Sequence, residues 1–99
     1  MKSLLDNFDR LLDNRVRLGI MALLVIHEEV DFTTLKESLA LTDGNLATHI
    51  AVLEREKYLK VRKEFVGKKP QTTYMATAVG KQAFEGHVDA LVRIEIPFF

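Results

Sequence analysis

The basic side chains are concentrated in one short stretch of the chain. Residues 57–69 contain a single acid, Glu64, and six bases: Lys57, Lys60, Arg62, Lys63, Lys68 and Lys69. Ammonium and guanidinium groups at this density bind phosphate oxygens, and for this purpose the local charge matters more than the total. The chain has no net charge, but residues 1–41 carry −2, residues 42–82 carry +4 and residues 83–99 carry −2. The middle region is therefore the favourable surface for phosphate.

The residues just before this stretch have unusually small side chains on one helical face. Leu46, Ile50 and Leu53 are spaced four and three apart, which predicts a helix over 43–57 with one buried side. The opposite face carries Gly44, Asn45, Thr48, Ala51, Val52 and Arg55. Lys and Glu normally fill a solvated helix face, whereas small side chains permit close approach to another surface, including base edges in a major groove. Beside a phosphate-binding stretch, such a helix predicts DNA binding.

Catalytic and metal-binding patterns are missing from the sequence. There is no cysteine, which excludes disulfides and thiolate zinc sites. His27, His49 and His87 do not combine with neighbouring acids into a ligand set, so we predict no metal and no cofactor. A nucleophile with a base partner, a phosphate-binding glycine loop and a carboxylate cluster are all missing, which predicts that the chain is not an enzyme.

The composition is that of one ordinary globular domain. The chain has 99 residues, of which 47% are hydrophobic and 28% charged, and this predicts a single domain over 1–99 with a modest core. The apolar run 18–26 is too short to cross a membrane. Acids near the N-terminus, in place of a basic and then apolar leader, favour a cytoplasmic location.

Helical patterns surround the candidate DNA-reading helix. Apolar residues at three- and four-residue steps predict a short amphipathic helix over 2–13, and a second helix over 15–29 is apolar almost all round and should be central. Residues 30–32 suggest a short extended link that could pair with a later strand. Thr34 and Glu37 form a capping box for the next short helix. After a tight turn, Thr42 is the expected N-cap of the helix 43–57.

A hairpin and a long helix complete the pattern. Residues 58–65 alternate, with Leu59 and Val61 on the inner side and Phe65 as a further inner candidate. Residues 67–70 read Gly-Lys-Lys-Pro, a turn signal, and residues 71–76 supply the returning strand. Thr77 should cap a last helix that runs to about residue 95. The fold class is therefore mainly α with a small β-hairpin.

Two short helices joined by a tight turn, followed by a hairpin and a long helix, make a winged helix-turn-helix. Residues 15–92 resemble the small winged-helix transcriptional regulators related to the MarR and ArsR groups. The most specific part of the resemblance is the hairpin and its exit, namely Gly67-Lys68-Lys69-Pro70, Thr72, Tyr74, Thr77 and Gly80.

The resemblance implies a homodimer bound to double-stranded DNA, with helix 43–57 in the major groove and hairpin 59–76 on the backbone or in the minor groove. From the small face of that helix and the basic hairpin we predict a sequence-specific transcriptional regulator that acts as a repressor. Asn45 and Thr48 have the chemistry to bond base edges, and Val52 could meet a thymine methyl. Basic groups should hold phosphates without reading sequence. The predicted DNA-binding residues are Asp43, Gly44, Asn45, Thr48, His49, Val52, Arg55, Arg62, Lys63, Lys68 and Lys69. MarR-type sensors have longer terminal helices around a ligand pocket, so the resemblance leaves a small-molecule effector open.

Both termini carry more apolar residues than a small winged domain needs for its core. We interpret the surplus as an interface in which residues 1–13 and 83–99 of two subunits pack symmetrically. The predicted interface residues are Leu4, Leu5, Phe8, Leu11, Leu12, Val88, Leu91, Ile94, Phe98 and Phe99.

Two other interpretations fit the same residues. The basic run on the hairpin could belong to a solvated edge strand whose lysines serve only to protect it against aggregation. The winged helix could also be a protein-interaction module, with its apolar termini docked on a larger partner.

Overall fold

The described part of the chain contains four α-helices and a three-stranded sheet, and the candidate DNA-reading helix is the third helix. The computed structural model describes residues 3–95, apart from the side chains of Leu4, Ile94 and Glu95. The elements in chain order are a 3₁₀ turn Leu4–Asn7, α1 Arg15–Ile26, β1 Val30–Asp31, α2 Phe32–Leu39, α3 Asp43–Arg55, β2 Leu59–Val66, β3 Lys69–Ala76 and α4 Ala78–Glu95. This is a winged helix, as the sequence predicted.

Helix α1 lies at the centre of the core. Asn14 begins it by accepting hydrogen bonds from Val16 N and Arg17 N, both at 3.0 Å. The fully buried side chains come from this helix and from the segments that pack on it: Leu12, Ile20, Met21, Leu24, Leu35, Leu46, Leu53 and Leu59. Because α2 and α3 both pack on α1, their relative direction is fixed by the core.

The turn between α2 and α3 is tight. Helix α2 is capped by Asp31, whose Oδ1 accepts from Thr34 N at 2.7 Å, so the predicted capping box from Thr34 is wrong by three residues. The helix ends at Ala40, which has the left-handed φ of 53°. Thr42 then caps α3 through a 3.1 Å bond to Asn45 N, which confirms the predicted N-cap.

The sheet has the strand order β1-β3-β2, and all pairs are antiparallel. Val30 pairs with Tyr74, and Tyr74 pairs with Val61 on its other side, so the extended link predicted at residues 30–32 does join the hairpin. Val66 pairs with Lys69, which leaves only Gly67 and Lys68 as the loop. Gly67 has φ of 65°, a conformation that favours glycine at the first position of a two-residue hairpin turn.

The start of α4 is attached to the base of the hairpin. Thr77 Oγ1 accepts from Gly80 N at 3.0 Å, which confirms the predicted cap, and the same hydroxyl donates to Lys57 O at 2.6 Å. Thr77 N donates to Tyr58 O at 3.0 Å. A Cβ on Gly80 would lie 2.0 Å from Tyr58 O, so this close approach of helix and strand requires glycine.

The N-terminal segment differs from the prediction. Residues 2–13 were expected to form one amphipathic helix, but the described part contains only the four-residue 3₁₀ turn followed by irregular turns. The reason is local: Asp9 Oδ1 accepts from Leu11 N and Leu12 N, and these bonds compete with a continuous helix. Leu12 is fully buried in the core of its own subunit. It therefore cannot be the interface residue that the sequence suggested.

Candidate nucleic-acid interface

The outer face of α3 is accessible over its whole length. Leu46, Ile50 and Leu53 are buried against the core, as predicted. On the other side Gly44, Asn45, Thr48, Ala51 and Arg55 are exposed, and Val52 is half-buried. A Cβ on Gly44 would have no atom within 4 Å, so the first turn presents bare backbone to solvent. Another molecule can therefore approach the helix closely there.

Two of the predicted reading residues on α3 differ in their hydrogen bonding. Thr48 Oγ1 donates to Gly44 O at 2.8 Å, so its hydroxyl retains acceptor capacity but its proton is in use. The side-chain amide of Asn45 makes no hydrogen bond within the part of the chain that the structure describes. Asn45 can therefore both donate and accept, which is the pattern needed for a bidentate contact with an adenine edge.

The N-terminus of α3 carries an ion pair that the sequence did not reveal. Lys36 Nζ, on α2, lies 2.8 Å from Asp43 Oδ1, and the hydrogen bond to this carboxylate raises the pKa of Lys36. Both side chains are substantially exposed. Asp43 is therefore engaged by a lysine of the preceding helix. The two residues are seven positions apart and lie on different helices, so no spacing rule within a single helix could have paired them.

His49 sits at the edge of α3 and is held by α1. Arg17 Nη1 lies 3.2 Å from His49 Nδ1, and Arg17 Nε donates to Leu11 O at 2.6 Å. Because a guanidinium can only donate, Nδ1 accepts and the ring proton lies on Nε2. Burial lowers the pKa of His49, and the positive charge of Arg17 lowers it further. A neutral ring with an Nε2–H can still donate to a phosphate, but it contributes no charge.

A second set of hydrogen bonds connects the N-terminal segment to the base of the hairpin and to α4. Tyr58 OH donates to Asp9 Oδ2 at 2.5 Å, and burial, with a further contribution from Asp9, raises the pKa of Tyr58 to about 12. Asp9 N donates to His87 Nδ1 at 3.0 Å, and the buried His87 ring packs on Phe8 with centroids 5.3 Å apart. His87 thus has a structural role, since it fixes the N-terminal segment on α4.

The two faces of the hairpin have different environments. Val61 and Lys63 share one face, opposite Tyr74 and Thr72, and these residues border an open cleft of about 610 Å³ against Ile50 and Glu54 of α3. Lys63 is exposed. It therefore lies on the side of the hairpin that adjoins α3.

Arg62 lies on the other face of the hairpin. Its Nη2 is 2.5 Å from Glu29 Oε1 and 3.4 Å from Glu64 Oε1. Thr73, which pairs with Arg62 across the strands, also donates its hydroxyl proton to Glu29. The structure thus separates Arg62 from α3 and gives it acidic partners, so it does not join the predicted phosphate-binding group.

The tip of the hairpin combines charge with an exposed ring. Lys68 and Lys69 are exposed on and beside the two-residue turn, as expected. Phe65 is 74% exposed, although the strand pattern made it a candidate for the inner side. The prediction for Phe65 is wrong because the core covers that face only as far as Val61, and alternation in a sequence does not reveal where a core ends.

Apart from Leu12, which is fully buried, the predicted interface residues fall into three groups. Leu5, Val88 and Leu91 are exposed, together with Val92, which the sequence analysis did not select. Phe8 and Leu11 are half-buried by the chain itself. Phe98, Phe99 and the side chains of Leu4 and Ile94 lie outside the described residues.

Residues 3–95 offer neither a metal site nor a membrane span. The His, Asp and Glu side chains described in this range form no group that could hold a metal ion. None of the helices in this range is both long and apolar enough to cross a membrane.

A helix-turn-helix whose second helix is exposed beside a basic hairpin defines the winged-helix class of DNA-binding proteins. Residues 16–94 match the family model described as a winged helix DNA-binding domain, and the chain belongs to this family. The family is not one of enzymes, in agreement with the prediction from the sequence.

Similar proteins support this assignment. An uncharacterised protein of Methanocaldococcus jannaschii is 32% identical over 85 residues, covering 86% of this chain and 92% of the relative. A transcriptional regulator homologue from Pyrococcus horikoshii has a similar structure, with a TM-score of 0.84, 32% identity and coverage of 91% of this chain and 89% of the other. The YusO protein of Bacillus subtilis shares the fold at a TM-score of 0.79 and 14% identity, covering 97% and 67% of the two chains. The family match and the 32% identical regulator homologue support a DNA-binding transcriptional regulator.

Proposed function

We propose that this protein is a homodimeric, sequence-specific repressor that binds double-stranded DNA with α3 in the major groove and the hairpin on the adjoining backbone or minor groove. The observation that carries the proposal is that α3 exposes a small, largely uncharged outer face, while Lys63 of the hairpin borders a cleft with Ile50 and Glu54 of the same helix. Such a face fits against base edges, while the lysines beside it supply attraction to phosphates.

The residues have distinct roles in this proposal. Asn45 and Thr48 read base edges, and Val52 contacts a methyl group. Arg55, Lys63, Lys68 and Lys69 bind phosphates, and His49 donates one uncharged hydrogen bond. Gly44 and Asp43 belong to the first turn of α3, where Lys36 reduces the repulsion that a carboxylate would exert on DNA.

The dimer in this proposal forms through α4. Leu91 and Val92 lie three and four residues after Val88, so the three side chains follow one side of the helix. Each of them is more than a third exposed. A second copy of the same helix would cover this apolar stripe symmetrically. A dimer that occupies a stretch of duplex excludes other proteins from it, which is the simplest route to repression.

Selection of bound sequences from random duplex DNA tests the proposal. We expect recovered sites with two-fold symmetry, because a symmetric dimer reads two half-sites. Binding of the recovered duplex should weaken steeply as salt is raised. Failure to bind any duplex at low salt would contradict the proposal.

Matched variants then separate reading from attraction. Asn45→Ala should weaken binding to the recovered duplex by roughly ten- to a hundredfold and leave random DNA unaffected. Lys63→Ala should weaken both and reduce the slope of log affinity against log salt by about one for each phosphate that the lysine neutralises. Lys60→Ala makes the same charge change on the other face of the hairpin and should have little effect. Equal effects of the two lysine variants would mean that only the general charge matters.

A further inference from the structure

The exposed ring of Phe65 has no role in the function proposed so far. At 74% exposure it is the most exposed large apolar side chain in the described part of the protein. Lys63 precedes Phe65 by two residues, so both side chains lie on the same face of the strand. Phe65 pairs directly with Pro70 of β3. An apolar pair thus occupies the tip of the hairpin on the side that adjoins α3.

The surroundings of this pair indicate the chemistry of its partner. Lys63 lies on the same face as the pair, Lys68 lies in the adjoining turn, and Lys69 and Glu64 both lie on the opposite face, where Arg62 is beside Glu64. A partner must therefore be anionic on its outside and apolar within reach. Duplex DNA has this character, since phosphates border the minor groove and the apolar faces of the bases can be reached between base steps.

The rigidity of the tip also suits insertion. The loop has two residues, and Gly67 adopts the backbone conformation that such a turn needs. Phe65 itself belongs to a regular strand pair, so its ring is presented by an ordered backbone. Apolar side chains presented in this way can enter between base steps from the minor groove, where they unstack and kink the duplex.

We propose that Phe65 is a minor-groove wedge: its ring, beside Pro70, stacks on or enters a base step next to the site read by α3, while Lys68 and Lys69 bind the flanking phosphates. The inference rests on the proposed DNA-binding function and adds a source of specificity to it. Pyrimidine–purine steps such as TA and CA unstack most easily. The protein should therefore favour such a step under the hairpin tip without any hydrogen bond to its bases.

The absence of tryptophan from the sequence provides a clean reporter for this contact. In Phe65→Trp the only indole lies at the proposed wedge, whereas in Val66→Trp it lies one residue later on the opposite face of the same strand. Val66 is 58% exposed, so both sites are open to solvent in the free protein. With the duplex recovered by selection, we expect the fluorescence of Phe65→Trp to be strongly quenched by base stacking and that of Val66→Trp to change little.

Affinity measurements give a second, independent test. Phe65→Ala should weaken binding by roughly tenfold, the loss typical of one aromatic–base stack, and leave the salt slope unchanged because no charge is removed. The combined variant Lys68→Ala, Lys69→Ala should reduce that slope. Val66→Ala serves as the control for the opposite face. The melting temperatures of free Phe65→Ala and Val66→Ala should match that of the wild type, since neither Phe65 nor Val66 is buried.

The possible failures are distinguishable. If the wild type binds duplex DNA but Phe65→Ala binds it equally well, or the two tryptophan variants respond alike, the wedge is wrong and the DNA-binding function stands. If the wild type binds no duplex at low salt, both fail together. If Phe65→Ala instead lowers the sedimentation coefficient of the free protein, the ring belongs to a protein–protein contact and the wedge is overturned.

Discussion

His49 shows how a residue of the candidate interface can depend on a residue far from it in sequence. Arg17 of α1 donates to its Nδ1 and lowers its pKa, in addition to the larger effect of burial. Helix α3 therefore carries a histidine that is neutral in the folded protein at neutral pH. Folding and proton binding at this residue are linked.

We expect acid to destabilise the protein partly through His49. The unfolded chain binds this proton at the ordinary pKa of about 6.5, and the folded protein binds it only at lower pH. The stabilisation is therefore complete above about pH 6.5 and is lost as the pH falls through the folded pKa. Urea unfolding of wild type and His49→Gln at about pH 8 and pH 5 measures this contribution of His49 to the free energy of unfolding. Wild type should lose more stability than the variant, and equal losses would exclude His49 as a cause.

Gly44 allows stability and DNA binding to be separated at a single position. Its Cβ site is empty of neighbours, so Gly44→Ala should raise the free energy of unfolding by about 0.5–1 kcal/mol through the lower entropy of the unfolded chain. The added methyl should weaken DNA binding because it holds the helix away from the bases. Gly86→Ala on α4, also free of neighbours within 4 Å, should stabilise similarly without affecting binding. Unchanged affinity in Gly44→Ala would argue against close approach of this turn.

At the scale of elements, the junction of α3, β2 and α4 determines how the candidate interface is held together. Helix α3 ends at Arg55; two residues later Lys57 adopts φ of 63°, and Tyr58 N donates back to Leu53 O. The carbonyl groups of Lys57 and Tyr58 then receive the hydrogen bonds of Thr77. Three elements are thus joined within a few residues.

Gly80→Ala should disrupt this junction. The new methyl would lie 2.0 Å from Tyr58 O and 2.9 Å from Met21 Cε, so backbone must move, at a cost of roughly 1–3 kcal/mol or more. Gly86→Ala makes the same chemical change on the same helix without a clash. Thermal or urea unfolding should show that Gly80→Ala lowers the free energy of unfolding and that Gly86→Ala raises it. A neutral Gly80→Ala would show that α4 can shift freely on the hairpin.

The elements that sequence predicted well are those with local signals. Thr42 and Thr77 mark helix starts by capping, and Gly67 marks the hairpin turn, because each acts through neighbours in the chain. The predictions are wrong where the position of a side chain depends on a partner far away in sequence, or where a local hydrogen bond competes with the predicted helix. Glu29 binds Arg62 from 33 positions earlier in the chain, and the carboxylate of Asp9 interrupts the expected N-terminal helix.

At the scale of the whole molecule, charge and apolar surface are divided between different regions. The central +4 region contains the face of α3 and the hairpin, whereas the apolar stripe of α4 lies in the C-terminal region of net charge −2. This division suits a protein that binds DNA with one side and a second copy of itself with another.

The double variant Val88→Glu, Val92→Glu should abolish the proposed dimer, because it places charges on the apolar stripe at exposed positions. Sedimentation should show a monomer, and affinity for a two-fold symmetric duplex should fall with the loss of the second half-site. Gln82→Glu, an exposed change earlier on α4, is the control. A wild-type protein that is itself monomeric would instead favour docking of the stripe on a different partner.

The contact of Gly80 with Tyr58 also has a consequence for the length of the operator. This contact attaches α4, the helix of the proposed dimer, to Tyr58, which lies between α3 and β2. In the proposed dimer each reading helix is thus tied to the α4 of its own subunit, so a symmetric α4 contact would hold the two reading helices at one separation. One base pair inserted between half-sites moves them apart by about 3.4 Å and rotates them by roughly a tenth of a turn. Such an operator would engage one subunit and release the other.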